Sequence, residues 1–434
     1  MNRSLILCDR VMYGALLALI FVLPYSLALI QICLATIILA WIVKCCLSAQ
    51  GSHRFQGFNL AASGMGWSLL AIALLIVLTI PFSHYPALSI KKFFSRFVQQ
   101  IFLMYVVTEI VHSRKRVYGV LTALLLTLFF VSLDVMVQYA WGTSLIYHTT
   151  MLFSRVTGPM NHPNDLGTLL ATVLPVVLIL GIIFRKWKSS PYGVAIAVLF
   201  LFLAFALGLT SSRGAWVAFA VSMISMGVYL KKYKLVVLTI VILVVFFWAF
   251  GMHCLSTRVD VYNAPKTQGA VINPSFNNPF GLPPGYNAFK LLSNSDGRDF
   301  YWETAVDVIK RYPWFGCGYS AYMRTLSDLR VGHEEYPHNT ILHITVELGL
   351  VGLALYGWFF SALFLELKMA LHAISRERDL FLIGCGLSSG ILAWMIHSLM
   401  DTAWASLQLS ILWWLFIGIV LSLGFIPREM KEKG

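Results

Sequence analysis

Residues 338–367 read HNTILHITVELGLVGLALYGWFFSALFLEL, and past the first three positions only Glu347 and Glu366 carry a full charge at neutral pH. The run from 341 to 367 exceeds the roughly 20 apolar residues that span a bilayer. In lipid, a single segment can satisfy its own backbone groups only as a helix. The stretch therefore predicts a membrane helix, and the same pattern recurs along the chain. Spans are expected at 11–24, 27–46, 66–82, 96–112, 117–139, 165–184, 192–210, 214–230, 235–253, 341–367, 380–400 and 405–425. The composition agrees: 59% of the 434 residues are hydrophobic and 12% charged, with mean hydropathy +0.77, where a soluble chain carries about 25% charged residues. The class is an all-α polytopic membrane protein of about 12 transmembrane helices. One apolar run follows another at the N-terminus without a small-residue cleavage site, so no cleaved signal is expected.

Basic residues set the orientation, because cytoplasmic loops collect lysine and arginine. With the N-terminus inside, every inside segment is populated: Arg3 and Arg10, Lys44 and Arg54, Arg114 to Arg116, Arg185 to Lys188, Lys231 to Lys234, Lys368 to Arg378, and Arg428 to Lys433. Both termini are then cytoplasmic. The remaining basic residues fall on the opposite face. Long translocated loops escape the rule, which accounts for those from Arg258 to Arg330, but not for Lys91, Lys92, Arg96, Arg155 or Arg213. Cations gathered on one non-cytoplasmic face fit a polyanionic ligand. For any one of them, a snorkelling interface cation is the plain alternative. Nucleic acid is not expected as a partner.

The chain divides into helices over 1–253, a large extramembrane loop over 254–340, and three further helices with a tail over 341–434. The first half of the loop is dense in Pro, Gly and Asn and reads as irregular. In the second half, SNSDGRDFYWETAVDVIKRYPW has a helix start at Ser295 or Asp296, apolar residues at 302, 305, 306 and 309, and a stop at Tyr312-Pro313. Arg298 falls in its first turn, a position suited to phosphate. Pairing of Arg298 with Asp296 or Asp299 is the alternative. Cys254 and Cys317, on the oxidising side, could form a disulfide.

The polar opening of the quoted stretch admits several readings. A zinc motif needs two histidines at i and i+4 on a continuous helix. His333 and His338 are five apart with Pro337 between them, and His343 with Glu347 lacks a third ligand. No metal and no cofactor is expected. Asn339 or His338 is the natural N-cap of the following helix. A histidine there faces the positive end of the helix dipole, which favours the neutral imidazole that a general base requires. A histidine that merely caps the helix is the alternative. RVTGPMNHPNDLG (155–167) opens the sixth span, with Asn164 or Asp165 as its cap. TSSRGAW (210–216) turns between the seventh and eighth, where an arginine near lipid needs a partner.

The motif order GPMNHPNDLG, TSSRGAW, GRDFYWETA…YPWFGCG and HNTILHITVELGLVGLALY resembles that of bacterial O-antigen ligases, within the O-antigen ligase and polymerase superfamily. The resemblance implies a GT-C-type glycosyltransferase of the inner membrane with its active site facing the periplasm, a role in lipopolysaccharide biosynthesis, and no metal ion. The donor would be a glycan on undecaprenyl pyrophosphate and the acceptor a sugar of lipid A–core. Arg213 and Arg298 match the arginines associated with the donor pyrophosphate, and His338 matches the proposed catalytic histidine. Asn339, Lys91, Lys92, Arg96 and Arg155 are candidate supporting residues. Direct attack by the acceptor would invert the anomeric centre. The nearest rival is the polymerase branch, whose acceptor is another lipid-linked glycan. A transporter or flippase is the rival from another class, and would carry midplane charges in broken helices; Asp134 and His397 are the deep candidates for such a role.

Overall fold

The helix Pro163–Arg185 runs through the centre of the protein, with almost every side chain from Leu166 to Leu180 buried. The computed structural model describes residues 3–48, 57–152, 155–185, 191–246, 248, 298–328 and 335–426. In chain order the described helices are α1 (Arg3–Val22), α2 (Leu27–Ser48), α3 (Gly64–Thr79), α4 (Pro86–Lys92), α5 (Gln99–Ile110), α6 (Arg114–Trp141), α7 (Pro163–Arg185), α8 (Pro191–Leu209), α9 (Arg213–Tyr229) and α10 (Tyr233–Phe246). They continue with α11 (Arg298–Arg311), α12 (Tyr322–Asp328), α13 (Thr340–Ala373), α14 (Arg378–Ser398) and α15 (Leu407–Leu423). No strand occurs among the described residues. Around α7 pack α8, α9 and α14, while α15 pairs with α5, and α13 with α3.

Eight of these helices are long and apolar enough to cross a membrane: Arg3–Val22, Leu27–Ser48, Gly64–Phe82, Arg114–Trp141, Pro163–Phe184, Pro191–Leu209, Thr340–Ala373 and Arg378–Ser398. Their outward faces carry exposed apolar side chains such as Leu39, Leu78 and Leu201, as a lipid-facing helix does and a water-facing one does not. The polytopic helical class therefore holds, but length and composition support eight crossings rather than about twelve. The other expected spans are helical over shorter lengths. The fourth is short because Phe93–Val98 winds as a π-helix, leaving Gln99–Ile110 as the α-helical part. α9 and α15 have 17 residues each, and the described part of α10 has 14.

The span expected at 341–367 is not one continuous helix. Gly349 adopts φ 69°, ψ −170°, which breaks α13. The chain segment after α11 fits into the break. Leu350 N donates to Pro313 O at 2.8 Å, Cys317 N to Val346 O at 2.9 Å and Gly318 N to Glu347 O at 3.1 Å. A Cβ on Gly349 would stand 2.2 Å from Trp314 O, and one on Gly316 2.4 Å from Glu347 O. Both glycines are needed, since each combines positive φ with backbone-to-backbone contact. Residues 340–348 thus form a short helical cap docked on the loop, and the part after Gly349 is the long apolar helix. Irregular backbone at this depth is tolerated because protein covers it.

Several deep charged residues outside this region have structural partners. Asp134 accepts the backbone N–H of Leu145. At the far end of the bundle, Lys44 pairs with Glu109 and Asp9 with Arg116, tying together α1, α2, α5 and α6. Cys317 has a free thiol, buried and pushed up to about 12 by that burial. Its expected partner Cys254, like residues 254–297 of the loop, lies outside the described residues.

Candidate active site

Asn339, not His338, caps α13. Its side chain accepts from Ile341 N at 2.9 Å and Leu342 N at 3.1 Å, and its amide donates to Leu399 O at 3.0 Å. His338 precedes the cap with φ 46°, in the left-handed region that a side chain seldom adopts. That turn directs the imidazole away from the helix end and towards the corner between α14 and α15. There His338 Nδ1 lies 2.8 Å from Asp401 Oδ1. Tyr301 of α11 covers the ring, with centroids 5.5 Å apart.

The corner that holds Asp401 is rigid. Asp401 Oδ1 also accepts from Thr402 N at 2.7 Å. Trp404 packs against the stacked pair Trp394 and Trp413, with centroid distances of 5.1 and 5.2 Å. Arg96 donates to Ala405 O at 2.9 Å. Burial raises the Asp401 carboxyl, but the hydrogen bond from His338, the imidazole charges and the Thr402 N–H together hold it well below the usual carboxylate range. An ionised Asp401 must accept, so His338 Nδ1 carries a proton, and in the neutral imidazole the lone pair is then on Nε2.

Behind the corner, His397 joins three helices. Thr168 Oγ1 donates to Asn164 O at 2.8 Å, so it accepts from His397 Nδ1 at 2.7 Å. His397 Nε2 is then free to accept from Ser212 Oγ at 3.4 Å. Gly214 packs so closely that a Cβ there would stand 3.3 Å from His397 Nε2 and 3.2 Å from Met400 Cβ. Arg213, the first residue of α9, is exposed and stands next to this contact. Arg298, the first residue described in α11, is near enough for its charge to act on His397. Asp165, in the first turn of α7, is within electrostatic range of both Asp401 and His338.

His338, Arg213 and Arg298, separated by up to 125 positions in sequence, thus meet at one end of the bundle. The supporting residues divide. Asn339 fixes the turn. Arg155 braces neighbouring helix ends, donating to Thr210 O at 2.7 Å and Asn164 Oδ1 at 2.6 Å. Arg96 holds the corner, Lys92 lines a neighbouring cavity, and Lys91 is exposed. α7 begins at Pro163, which places Asn164 and Asp165 within its first turn, where His162 Nδ1 accepts from Asn164 N at 3.1 Å. Sequence reasoning missed Asp401. The available signal was a lone acid between the last two spans, in a chain with only 19 acids.

Residues 197–357 match the family model described as O-antigen ligase. That segment belongs to the O-antigen ligase family. It runs from α8 into α13 and contains Arg213, Arg298 and His338, so the O-antigen ligase match covers all three residues that the fold gathers. Asp401 and His397 lie beyond it. No curated protein matches the chain. In chemical terms, the site offers an imidazole, a carboxylate behind it and two guanidinium groups at the same end of the bundle.

Proposed function

We propose that the protein is an O-antigen ligase of the GT-C type, working at the periplasmic face of the bacterial inner membrane. It transfers a glycan from undecaprenyl pyrophosphate to a sugar of lipid A–core; with the four shorter helices counted as further crossings the total is twelve, and both termini lie in the cytoplasm. The observation that carries this reading is the His338–Asp401 pair set beside Arg213 and Arg298.

The chemistry follows from the residues. An acceptor hydroxyl is a poor nucleophile, and His338 Nε2 takes its proton as it attacks the anomeric carbon. Asp401 keeps Nδ1 protonated and stabilises the imidazolium that forms. The bond from the anomeric carbon to the phosphate oxygen breaks, and undecaprenyl pyrophosphate leaves with the electron pair. Arg213 and Arg298 offer fork-shaped donors to its oxygens, neutralising the developing charge in a partly dry site. Attack from the face opposite the leaving group inverts the anomeric centre. No step in this scheme draws on a metal.

Deletion of the gene tests the assignment. A ligase loss strands polymerised glycan on undecaprenyl pyrophosphate and leaves lipid A–core bare. Single repeat units on lipid A–core would instead identify a polymerase. Purified enzyme is expected to stay active in EDTA; loss on chelation with recovery on one divalent ion would replace the arginine scheme.

A further inference from the structure

A second cavity lies beside the dyad without sharing its residues. Its volume is about 50 Å³, in a measure where one water needs roughly 10–15 Å³. Lys92, Arg96, Gln100, Tyr336, His343 and Glu347 line it. Two short chain links join it to the dyad: Tyr336 is two residues before His338, and Trp404, also in the wall, is three after Asp401. Tyr336 turns to His343, with centroids 4.9 Å apart, while His338 turns to Asp401. Arg213 and Arg298 do not line this cavity.

Its polar groups are incompletely matched. Gln100 accepts from Ser410 Oγ at 2.6 Å, but its buried Nε2 has no partner among the described residues. Glu347 Oε2 accepts from Ser320 N at 2.8 Å. Its other oxygen, Oε1, lies 3.1 Å from His343 Nε2 without hydrogen-bond alignment and has no other partner among the described residues. Among the described residues Arg96 makes one hydrogen bond, to a backbone carbonyl. Lys92 forms no ion pair among the described residues, and burial, then the charges of Arg96 and Lys91, pull its ammonium below its ordinary value. Burial also pushes the Tyr336 phenol up to about 12, so it remains an O–H donor. The wall therefore holds two cations, several unmet donors and one unmet acceptor. Water would satisfy the dipoles but leave two crowded cations facing a single carboxylate.

We propose that this cavity seats a phosphomonoester group carried by the acceptor, next to the subsite of the reacting hydroxyl. A phosphomonoester monoanion brings acceptor oxygens for Lys92, Arg96, Gln100 and Tyr336 together with one P–O–H for Glu347 Oε1. A carboxylate would bring acceptors only. The acceptor is favoured over the donor because the cavity adjoins His338, which faces the attacking hydroxyl, whereas the arginines assigned to the leaving group lie on the His397 side. This inference rests on the transferase reading.

The test is steady-state transfer by the full-length purified enzyme, with intact acceptor glycolipid and with the same glycolipid after phosphatase treatment. Lys92→Gln and Arg96→Gln are each expected to raise the acceptor KM about ten-fold or more, the usual weight of a charge-assisted hydrogen bond, and to leave the donor KM within two-fold. Phosphatase treatment should raise the wild-type KM by at least as much, and should raise that of Lys92→Gln by a smaller factor, since the Lys92 contact is already gone there. Lys92→Gln breaks no bond within the protein, so it keeps the test valid if Arg96→Gln disturbs the corner. Inorganic phosphate should compete with intact acceptor in wild type and not in Lys92→Gln. A raised donor KM, additive losses, or equal wild-type KM for the two acceptors overturns the subsite while leaving the transferase intact. Wild-type enzyme that transfers to neither acceptor overturns the transferase reading, and the subsite with it.

Discussion

His338 Nδ1 and Asp401 Oδ1 lie 2.8 Å apart although 63 positions separate them in the chain. Asp401→Asn would reverse the hydrogen-bonding preference of that contact, because an amide can donate to Nδ1 and favour the tautomer protonated at Nε2. Turnover should then fall on the order of a hundred-fold or more, the usual weight of a general base, with donor binding retained. Asp401→Glu should recover part of it. Near-normal turnover in Asp401→Asn would show that the carboxylate does not set the imidazole.

The same contact has a signature in stability. The folded Asp401 carboxyl titrates well below its ordinary value, about 3.9 for an unfolded chain. The ionised pair therefore contributes stability that is complete above that value and is lost as pH falls towards the lower, folded one. The unfolding temperature of wild type in detergent should drop below about pH 4, and Asp401→Asn should lack that part of the slope. Identical acid profiles would contradict the assignment.

For the arginines, Arg213→Lys and Arg298→Lys should each lower transfer strongly, since an ammonium cannot reproduce a two-pronged guanidinium contact with phosphate. Arg324→Lys should be nearly silent. Its guanidinium lies 5.7 Å from the centre of the Tyr85 ring, and an ammonium can keep that contact. Wild-type rates in both Arg213→Lys and Arg298→Lys, at normal protein levels, would remove the pyrophosphate clamp.

What was legible in the sequence was local. Arg213, Arg298 and His338 each adjoin a helix start, and helix starts announce themselves through caps, prolines and the onset of an apolar run. Asp401 has no such neighbour. Its role comes from the turn at His338 and from the tryptophan block behind Trp404, both products of tertiary packing. The break at Gly349 was hidden for the same reason. In VELGLVG, a glycine within apolar residues reads as a tolerated helix position, and only the backbone of Pro313 and Trp314 docking against it requires the break.

Gly349→Ala should accordingly damage the fold rather than the chemistry. The substitution combines a left-handed backbone with a Cβ 2.2 Å from Trp314 O. Together these should cost about 3 kcal/mol or more, seen as low yield and a depressed unfolding temperature. Gly357→Ala, where a Cβ would meet nothing within 4 Å, is the matched control. Equal stability of the two variants would show that the loop does not hold the break.

Because Asn339 caps α13 and His338 does not, the two neighbours should separate in their effects. Asn339→Ala removes hydrogen bonds to Ile341 N, Leu342 N and Leu399 O and should cost about 1 kcal/mol or more of stability, with a moderate loss of rate as the turn loosens. Asn339→Asp keeps the cap acceptor, so it should restore much of the stability but not the contact to Leu399. His338→Ala should also lower the unfolding temperature, because the buried Asp401 carboxylate loses its partner, but its mark is the rate: most turnover should go, on the order of a hundred-fold or more. His338→Asn tests the alternative role directly. If the histidine acted only through its place at the helix start, asparagine, a residue favoured there and tolerant of left-handed backbone, would sustain transfer. We expect a well-folded, inactive His338→Asn enzyme. One that turns over at near wild-type rate would leave the base to be found elsewhere, with Asp165, in electrostatic range of His338 and Asp401, the next residue to replace.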